Sequence, residues 1–351
     1  MIKVLIVDDS AVVRDLLSHI LGSDPEITVI GTARDGFEAI EFVSHNKPDV
    51  ITMDITMPKM GGFEATRKIM ETNPLPIVIL TASWDPTDAI RTWKAMEAGA
   101  VHALEKPRYL GEMDRDESVK ELIQTVKLMS EVKVVRRWPR AKGLKTSPID
   151  AAKKPVLSNV RVVAIGASTG GPPVIKDILS DLPREFPVPI LLVQHMALNF
   201  TRSFADWLNQ STHLEVSVPT NGEHANPGRV YVGPDMFQMK ISKEGRILLT
   251  QDEPENGLRP SVSYLFRSVA EAFGKNALGV LLTGMGRDGA EELNLMRIKG
   301  AVTIAQDKDS SVVHGMPGEA IKLGAASFIL SPQRINEMLH ALVSGGSQKW
   351  I

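Results

Sequence analysis

Two doubly wound α/β domains in series are the fold class this sequence predicts. The first carries a five-stranded parallel sheet, and the second a mostly parallel sheet with an added β-hairpin. Three observations carry the prediction. Short β-branched runs alternate with amphipathic stretches over about the first 110 residues, the same rhythm restarts at Arg161, and a basic, proline-punctuated stretch separates the two. Such alternation is the pattern of helices wound onto parallel strands. The boundaries read as 1–125, 126–157 and 158–345.

In the first domain, the apolar run Lys3–Val7 opens the sheet. Val12, Val13, Leu16, Leu17, Ile20 and Leu21 then recur at helical spacing, and Gly22 stops that helix. Strands follow near Thr28–Ala33, Val50–Met53, Ile77–Leu80 and Val101–Leu104, and a helix over 112–132 closes the domain. Next come Lys133, Arg136, Arg137, Arg140, Lys142, Lys145, Lys153 and Lys154, broken by Pro139, Gly143, Pro148 and Pro155. This reads as a tether. A nucleic-acid-binding arm is the alternative, but few aromatics interleave with the charges, and no nucleic-acid partner is expected.

The second domain opens with Arg161–Ile165, and further strands are expected at Val188–Val193, Leu278–Thr283, Val302–Ala305 and Ser327–Leu330. Helices are expected near Val174–Leu179, Thr201–Asn209, Val262–Phe273, Glu291–Ile298 and Pro332–Leu342. Phe237–Ile241 and Arg246–Thr250 flank Lys243-Glu244-Gly245, a hairpin signal.

Composition bounds the chemistry. At 351 residues there is room for about two domains, each with its own core. Hydrophobic residues make up 43% and charged residues 23%, as in an ordinary globular protein. A net charge of −2 points to no charged partner. The absence of cysteine excludes a thiolate nucleophile, a disulfide framework and a cysteine metal site. The amino-terminal run turns acidic too soon for a signal peptide, and no apolar run approaches the ~18 residues of a membrane span. A cytoplasmic protein, not inserted in the membrane, is the expectation.

Side chains at strand ends converge in one crevice of an open parallel sheet. In the first domain these are Asp8 and Asp9, Asp54, Thr81 and Lys106. The three carboxylates offer oxygen ligands for Mg²⁺, Lys106 a compact positive charge, and Thr81 a hydroxyl. A single Asp at a strand end is more often a solvated loop residue; five such positions in this order are not. The cluster resembles the receiver domain of two-component response regulators. The resemblance implies that Asp54 accepts a phosphoryl group from a histidine kinase while Asp8 and Asp9 hold the metal. It further implies that Lys106 contacts the phosphoryl oxygens and that Thr81 moves to bond one of them. Ala103 departs from the aromatic that receivers usually carry there, which puts the aromatic rotamer switch in doubt.

Three polar clusters follow apolar strands in the second domain: Gly166–Gly171 with Pro172-Pro173, Gln194-His195-Met196, and Gly284–Gly289. They deliver Ser168, His195 and Asp288 to one end of one sheet, with Ser168 near a helix amino terminus. That set suits nucleophilic acyl transfer: Ser168 attacks, His195 takes its proton, and Asp288 orients the ring. Each element alone is more often a turn residue. The glycine-rich turn also invites a nucleotide reading, but it lacks the G-x-G-x-x-G spacing and no G-K-[ST] follows.

These segments, with Phe200–Phe204 and Gln306–Pro317, resemble the catalytic domain of chemotaxis receptor methylesterases, which carry a receiver at their amino terminus. The resemblance implies hydrolysis of glutamyl methyl esters on chemoreceptors, deamidation of selected receptor glutamines, and a receiver that covers the esterase site until phosphorylated. It implies that Thr169 lines the site and that the Met285 amide joins the oxyanion hole. Ester hydrolysis then needs no cofactor, and Mg²⁺ serves the receiver alone. Gly61 and Ser263 depart from residues common in the family, and neither is expected to touch the triad. Two rivals remain: a receiver with a DNA-binding output, for which no helix-turn-helix is visible, and a catalytically silent adaptor.

Overall fold

Apolar runs buried on both faces build two parallel sheets, as strands covered by helices on each side must. The computed structural model describes residues 1–82, 86–107, 112–132, 134 and 159–343. The chain divides into two compact units, Met1–Leu144 and Lys145–Ile351.

The first unit runs β1 (Ile2–Val7), α1 (Ala11–Gly22), β2 (Ile27–Ala33), α2 (Gly36–His45), β3 (Val50–Asp54) and α3 (Gly62–Thr72). It continues through β4 (Ile77–Thr81), α4 (Pro86–Ala98), β5 (His102–Glu105) and α5 (Glu112–Ser130). The five strands lie in the order β2-β1-β3-β4-β5, every pairing parallel. This is the flavodoxin-like order, whose switch point falls between β1 and β3. Ser10 caps α1, its hydroxyl accepting from the Val13 amide, and Arg14 of that helix donates to the carbonyls of Asp8 and Asp9.

The second unit begins with β6 (Val162–Ala167), α6 (Gly171–Leu179), β7 (Ile190–Gln194) and α7 (Thr201–Ser211). Then come β8 (Glu215–Ser217), β9 (Arg229–Val232), β10 (Gln238–Ile241) and β11 (Ile247–Thr250). It ends with α8 (Val262–Phe273), β12 (Ala277–Leu281), α9 (Ala290–Ile298), β13 (Val302–Gln306), α10 (Met316–Lys322), β14 (Phe328–Leu330) and α11 (Pro332–Val343). Seven strands form one parallel sheet, β14-β13-β12-β6-β7-β9-β8. The chain leaves β6 toward β7 and later returns to the other side of β6 as β12, so the switch point lies between β6 and β12. The apolar face of α8, including Leu265, Phe266 and Val269, is fully buried against Ala164, Leu191 and Leu281. Burial of such side chains contributes roughly 2 kcal/mol each.

Boundaries moved for local reasons. The helix expected over 112–132 ends at Ser130, and Val126 and Met129 are buried, so the tether start read at 126 falls inside α5. The rest of the tether, 135–157, lies outside the described residues. β7 starts at Ile190, after Pro189 has accepted a bond from Val163 N at 3.0 Å. α6 starts three residues earlier than expected, because Pro172 and Pro173 fit a first helical turn. The expected hairpin is antiparallel β10–β11, a small sheet of its own. β8, β9 and α10 were not anticipated; β8 has three residues and β9 four, too few to show a period.

Candidate functional site

β1 and β3 end at the switch point of the first sheet, and their terminal carboxylates meet there. Asp8 and Asp54 are buried and Asp9 is exposed. One oxygen from each lies within 4.8 Å of the others. Lys106, just past β5, reaches in: its Nζ stands 2.7 Å from Asp8 Oδ2 and 2.9 Å from Asp54 Oδ1. Thr81 ends β4, fully buried. All five residues named from sequence thus stand at one edge of one sheet. Three carboxylate oxygens suit a hard divalent cation such as Mg²⁺, which retains several waters, and Asp9 keeps one side open to them.

Burial pushes the Asp54 carboxyl up to about 6, with Asp8 and Asp9 adding to the rise and Lys106 opposing it. Burial also works against the charge on Lys106, but the hydrogen bonds and attraction from Asp8 and Asp54 hold its pKa above the ordinary value. Ala103 is buried in β5, in register with Ile79.

In the second unit, Ser168 follows β6, His195 follows β7, and Asp288 lies between β12 and α9. The His195 Nε2 and Asp288 Oδ2 atoms are 2.9 Å apart. Asp288 is held from three further directions. Its Oδ2 accepts from Val262 N at 2.7 Å, and its Oδ1 from Ser261 Oγ at 2.8 Å and Ser263 N at 3.1 Å. These donors are the cap and first turn of α8, whose dipole favours an anion there. Burial alone would raise the Asp288 pKa. His195, with hydrogen bonds from Ser263 and Ser261, overcomes it and holds the carboxyl well below the usual range. Ser263, expected to stand clear of the triad, therefore touches it: its amide holds Asp288, and its Oγ accepts from Gly289 N at 2.9 Å, fixing the loop that carries Asp288, because the first turn of α8 points its donors at that carboxylate.

Ser168 is half-buried, and its own amide donates to Thr283 O at 3.0 Å. Among the described residues no hydrogen bond joins Ser168 Oγ to the imidazole, a looseness common before substrate binds. With Nε2 committed to Asp288, Nδ1 is the ring nitrogen left for proton transfer. Gly284 lets the β12 loop come this close: a Cβ there would meet Ser168 Cβ at 2.7 Å and Met316 Sδ at 2.4 Å. Among the described residues the Met285 amide donates no hydrogen bond, so it is free to bind an oxyanion. Thr169 is buried beside Ser168, and its carbonyl accepts from Thr283 Oγ1 at 2.9 Å. The second histidine of the region, His314, packs its Nδ1 3.4 Å from Ser311 Oγ.

The family described as CheB methylesterase matches residues 163–339, and the response regulator receiver domain matches residues 4–115. A protein-glutamate methylesterase/protein-glutamine glutaminase of Nitrosospira multiformis is 54% identical over 348 residues, 98% of each chain. The chain belongs to the CheB methylesterase family. A second such relative, from Syntrophus aciditrophicus, is 54% identical over 97% of each chain. The crystal structure of the Thermotoga maritima CheB methylesterase catalytic domain superimposes with a TM-score of 0.51 at 36% identity. That match covers 52% of this chain and 98% of that one.

Around this CheB-type site the structure adds residues that the sequence pattern did not single out. Buried Gln194 donates through Nε2 to the carbonyls of Ser168 at 2.8 Å and His195 at 2.7 Å, tying the two loops together. Its Oε1 packs on Gly171, where a Cβ would lie 2.1 Å away. Gln306, fully buried, accepts from Thr283 N at 2.7 Å and so steadies the carbonyl that receives Ser168 N. Ser261 was not singled out from sequence; the structure shows it as the cap of α8. Gln194 was legible only as the neighbour of His195.

Two outcomes are expected. Gln194→Leu leaves the His195 carbonyl without that partner, at a cost of ~1–3 kcal/mol in stability. Esterase kcat should fall at least tenfold with a smaller change in KM, measured where the variant remains folded. Asp54 offers a pH test. Its pKa is about 6 in the fold against an ordinary 3.8, so its stabilising contribution is complete below pH 3.8 and lost as pH rises through about 6. Asp54→Asn should therefore stabilise the first domain at pH 8 by on the order of 2 kcal/mol. The gain should vanish near pH 4, as read by urea unfolding without added Mg²⁺.

Proposed function

We propose that this chain hydrolyses glutamate methyl esters on methyl-accepting chemotaxis receptors, releasing methanol, and deamidates specific receptor glutamines to glutamate. The observation that carries the reading is the 2.9 Å pairing of His195 with a buried, anionic Asp288 at the switch point where Ser168 also stands. The printed names of the relatives support the substrate class.

The geometry supports a serine-hydrolase route. Ser168 Oγ attacks the ester carbonyl as its proton passes to His195 Nδ1. The Met285 amide, with Thr169 at the pocket wall, receives the oxyanion. The imidazolium, steadied by Asp288, then protonates the departing methoxy group, and methanol leaves. Water, activated by the same ring, cleaves the acyl-serine and yields the glutamate carboxylate. With a glutamine substrate the leaving group is ammonia.

Control lies in the receiver, which runs through α5 to Ser130 and is joined by the basic stretch after it to the catalytic domain, read as 158–345. Asp54 takes a phosphoryl group from the chemotaxis histidine kinase. Asp8, Asp9 and Asp54 would hold Mg²⁺, which offsets the negative charge that gathers during transfer. Lys106 offers a cation to the phosphoryl oxygens, and Thr81 a hydroxyl. The added charge shifts a two-state arrangement toward the active form.

Ser168→Ala and His195→Ala should each abolish methanol release from methylated receptor, Ser168→Ala with an unfolding curve close to wild type and His195→Ala with some loss of stability from the unpaired Asp288. His314→Ala should keep most of the activity. The opposite pattern between the two histidines would move the base to His314. A fragment starting near Lys154 should fold and turn over ester faster than the unphosphorylated whole chain. In that whole chain, a small phosphodonor with Mg²⁺ should stimulate turnover, and Asp54→Asn should remove the stimulation. A fragment no faster than the whole would reject inhibition by the receiver.

A further inference from the structure

Resting on the reading above, we infer that Leu198, Met236 and Met285, flanked by Arg202 and Arg287, form the surface that docks the substrate protein: a segment with an apolar stripe beside free glutamates. Three large apolar side chains stand out in solvent here, Leu198 at 55% exposure, Met236 at 47% and Met285 at 46%. Each sits on a loop leaving the carboxyl edge of the second sheet. Leu198 is three residues past His195, Met236 follows β9, and Met285 is three residues before Asp288. β9 pairs with β7, so the Leu198 and Met236 loops are neighbours.

The two loops are also tied together. Asp235 accepts from Asn199 N at 3.1 Å and from Thr201 Oγ1 at 2.6 Å, so the residue before Met236 grips the residue after Leu198. Backbone strain accompanies this grip. Met236 has φ 65° and Asn199 φ 70°, in the left-handed region that glycine occupies more readily. An unbranched apolar side chain held in a strained turn and pointed into water has no folding advantage over glycine. Such strain persists where the displayed group is used.

Charge selects the occupant. Arg202 on the first turn of α7 and Arg287 beside Asp288 are exposed, and neither makes an ion pair among the described residues. A substrate protein that carries several glutamyl esters gains carboxylates as they are hydrolysed. Two unpaired guanidinium groups next to an apolar rim match a segment of that composition, since Arg pairs well with carboxylate. Methionine adapts to side chains of different shape, which suits several modified positions on one substrate.

The test separates docking from chemistry. Binding of the full chain carrying Ser168→Ala to a methylated chemoreceptor cytoplasmic fragment is measured by fluorescence anisotropy, alone and with Leu198→Ser plus Met236→Gly. In the Ser168 background, turnover of a small ester, p-nitrophenyl acetate, is followed for the same pair. Affinity is expected to weaken at least tenfold with small-ester turnover within twofold, and Arg202→Glu is expected to weaken binding and steepen its loss with salt. Unchanged affinity, or no binding of the receptor fragment, would overturn the proposal. Parallel loss of small-ester turnover would overturn it too, by making the loops part of the catalytic frame. A rise in small-ester turnover would assign the patch to the chain's own first domain and overturn it likewise. Failure of methanol release with binding intact would count against the esterase reading alone.

Discussion

The carboxylate of Asp288, gathered by the amino terminus of α8, is the contact on which the catalytic half depends. Four donors converge on its two oxygens: Ser261 Oγ, the amides of Val262 and Ser263, and His195 Nε2. Three of them come from one helix end, so the position of α8 in the core sets where the histidine points. Gly166 makes this possible, since a Cβ there would lie 2.2 Å from Val262 Cγ1 and push α8 away from the sheet. An uncompensated buried carboxylate would be protonated rather than charged. Here His195, with Ser263 and Ser261, keeps it ionised, and an ionised Asp288 is what an imidazolium needs beside it.

Two buried aspartates in one chain show how environment decides chemistry. Asp54 has a cation, Lys106, but also two neighbouring carboxylates, and its pKa rises to about 6. Asp288 has no carboxylate among the causes of its shift, and its pKa falls. In the reading proposed above, the first would lose negative repulsion by taking up a cation nearby or a phosphoryl group. The second is held charged by the donors around it. Burial is common to both; the supply of donors differs.

Both sites stand at the switch point of a parallel sheet. In the first sheet the crevice between β1 and β3 receives Asp8, Asp9 and Asp54. In the second, Ser168 and the Gly284 loop meet between β6 and β12, with His195 brought in from β7. Chain reversal leaves the strand ends there uncovered by crossover helices, so polar groups can gather without breaking the core. Met285 lies at the same edge, on the loop after β12.

The sequence by itself determined the two α/β domains, the strands that carry chemistry, and the candidates Asp8, Asp9, Asp54, Thr81, Lys106, Ser168, His195 and Asp288. Apolar runs ending in Asp54, Lys106, Ser168 or His195 are local signals, and a parallel sheet sends all such ends to one edge. Short pieces without a period, β8, β9 and α10, stayed hidden for want of length. Gln194, Gln306 and the amides of Val262 and Ser263 were decided only by the tertiary structure. Their partners lie 23 to 26 residues away along the chain, and an amide or a glutamine has no signature that tells where its hydrogen bond will go. Residue type states what a group can do; only packing states which group it meets, and a hydrogen bond needs its partner within about 3 Å.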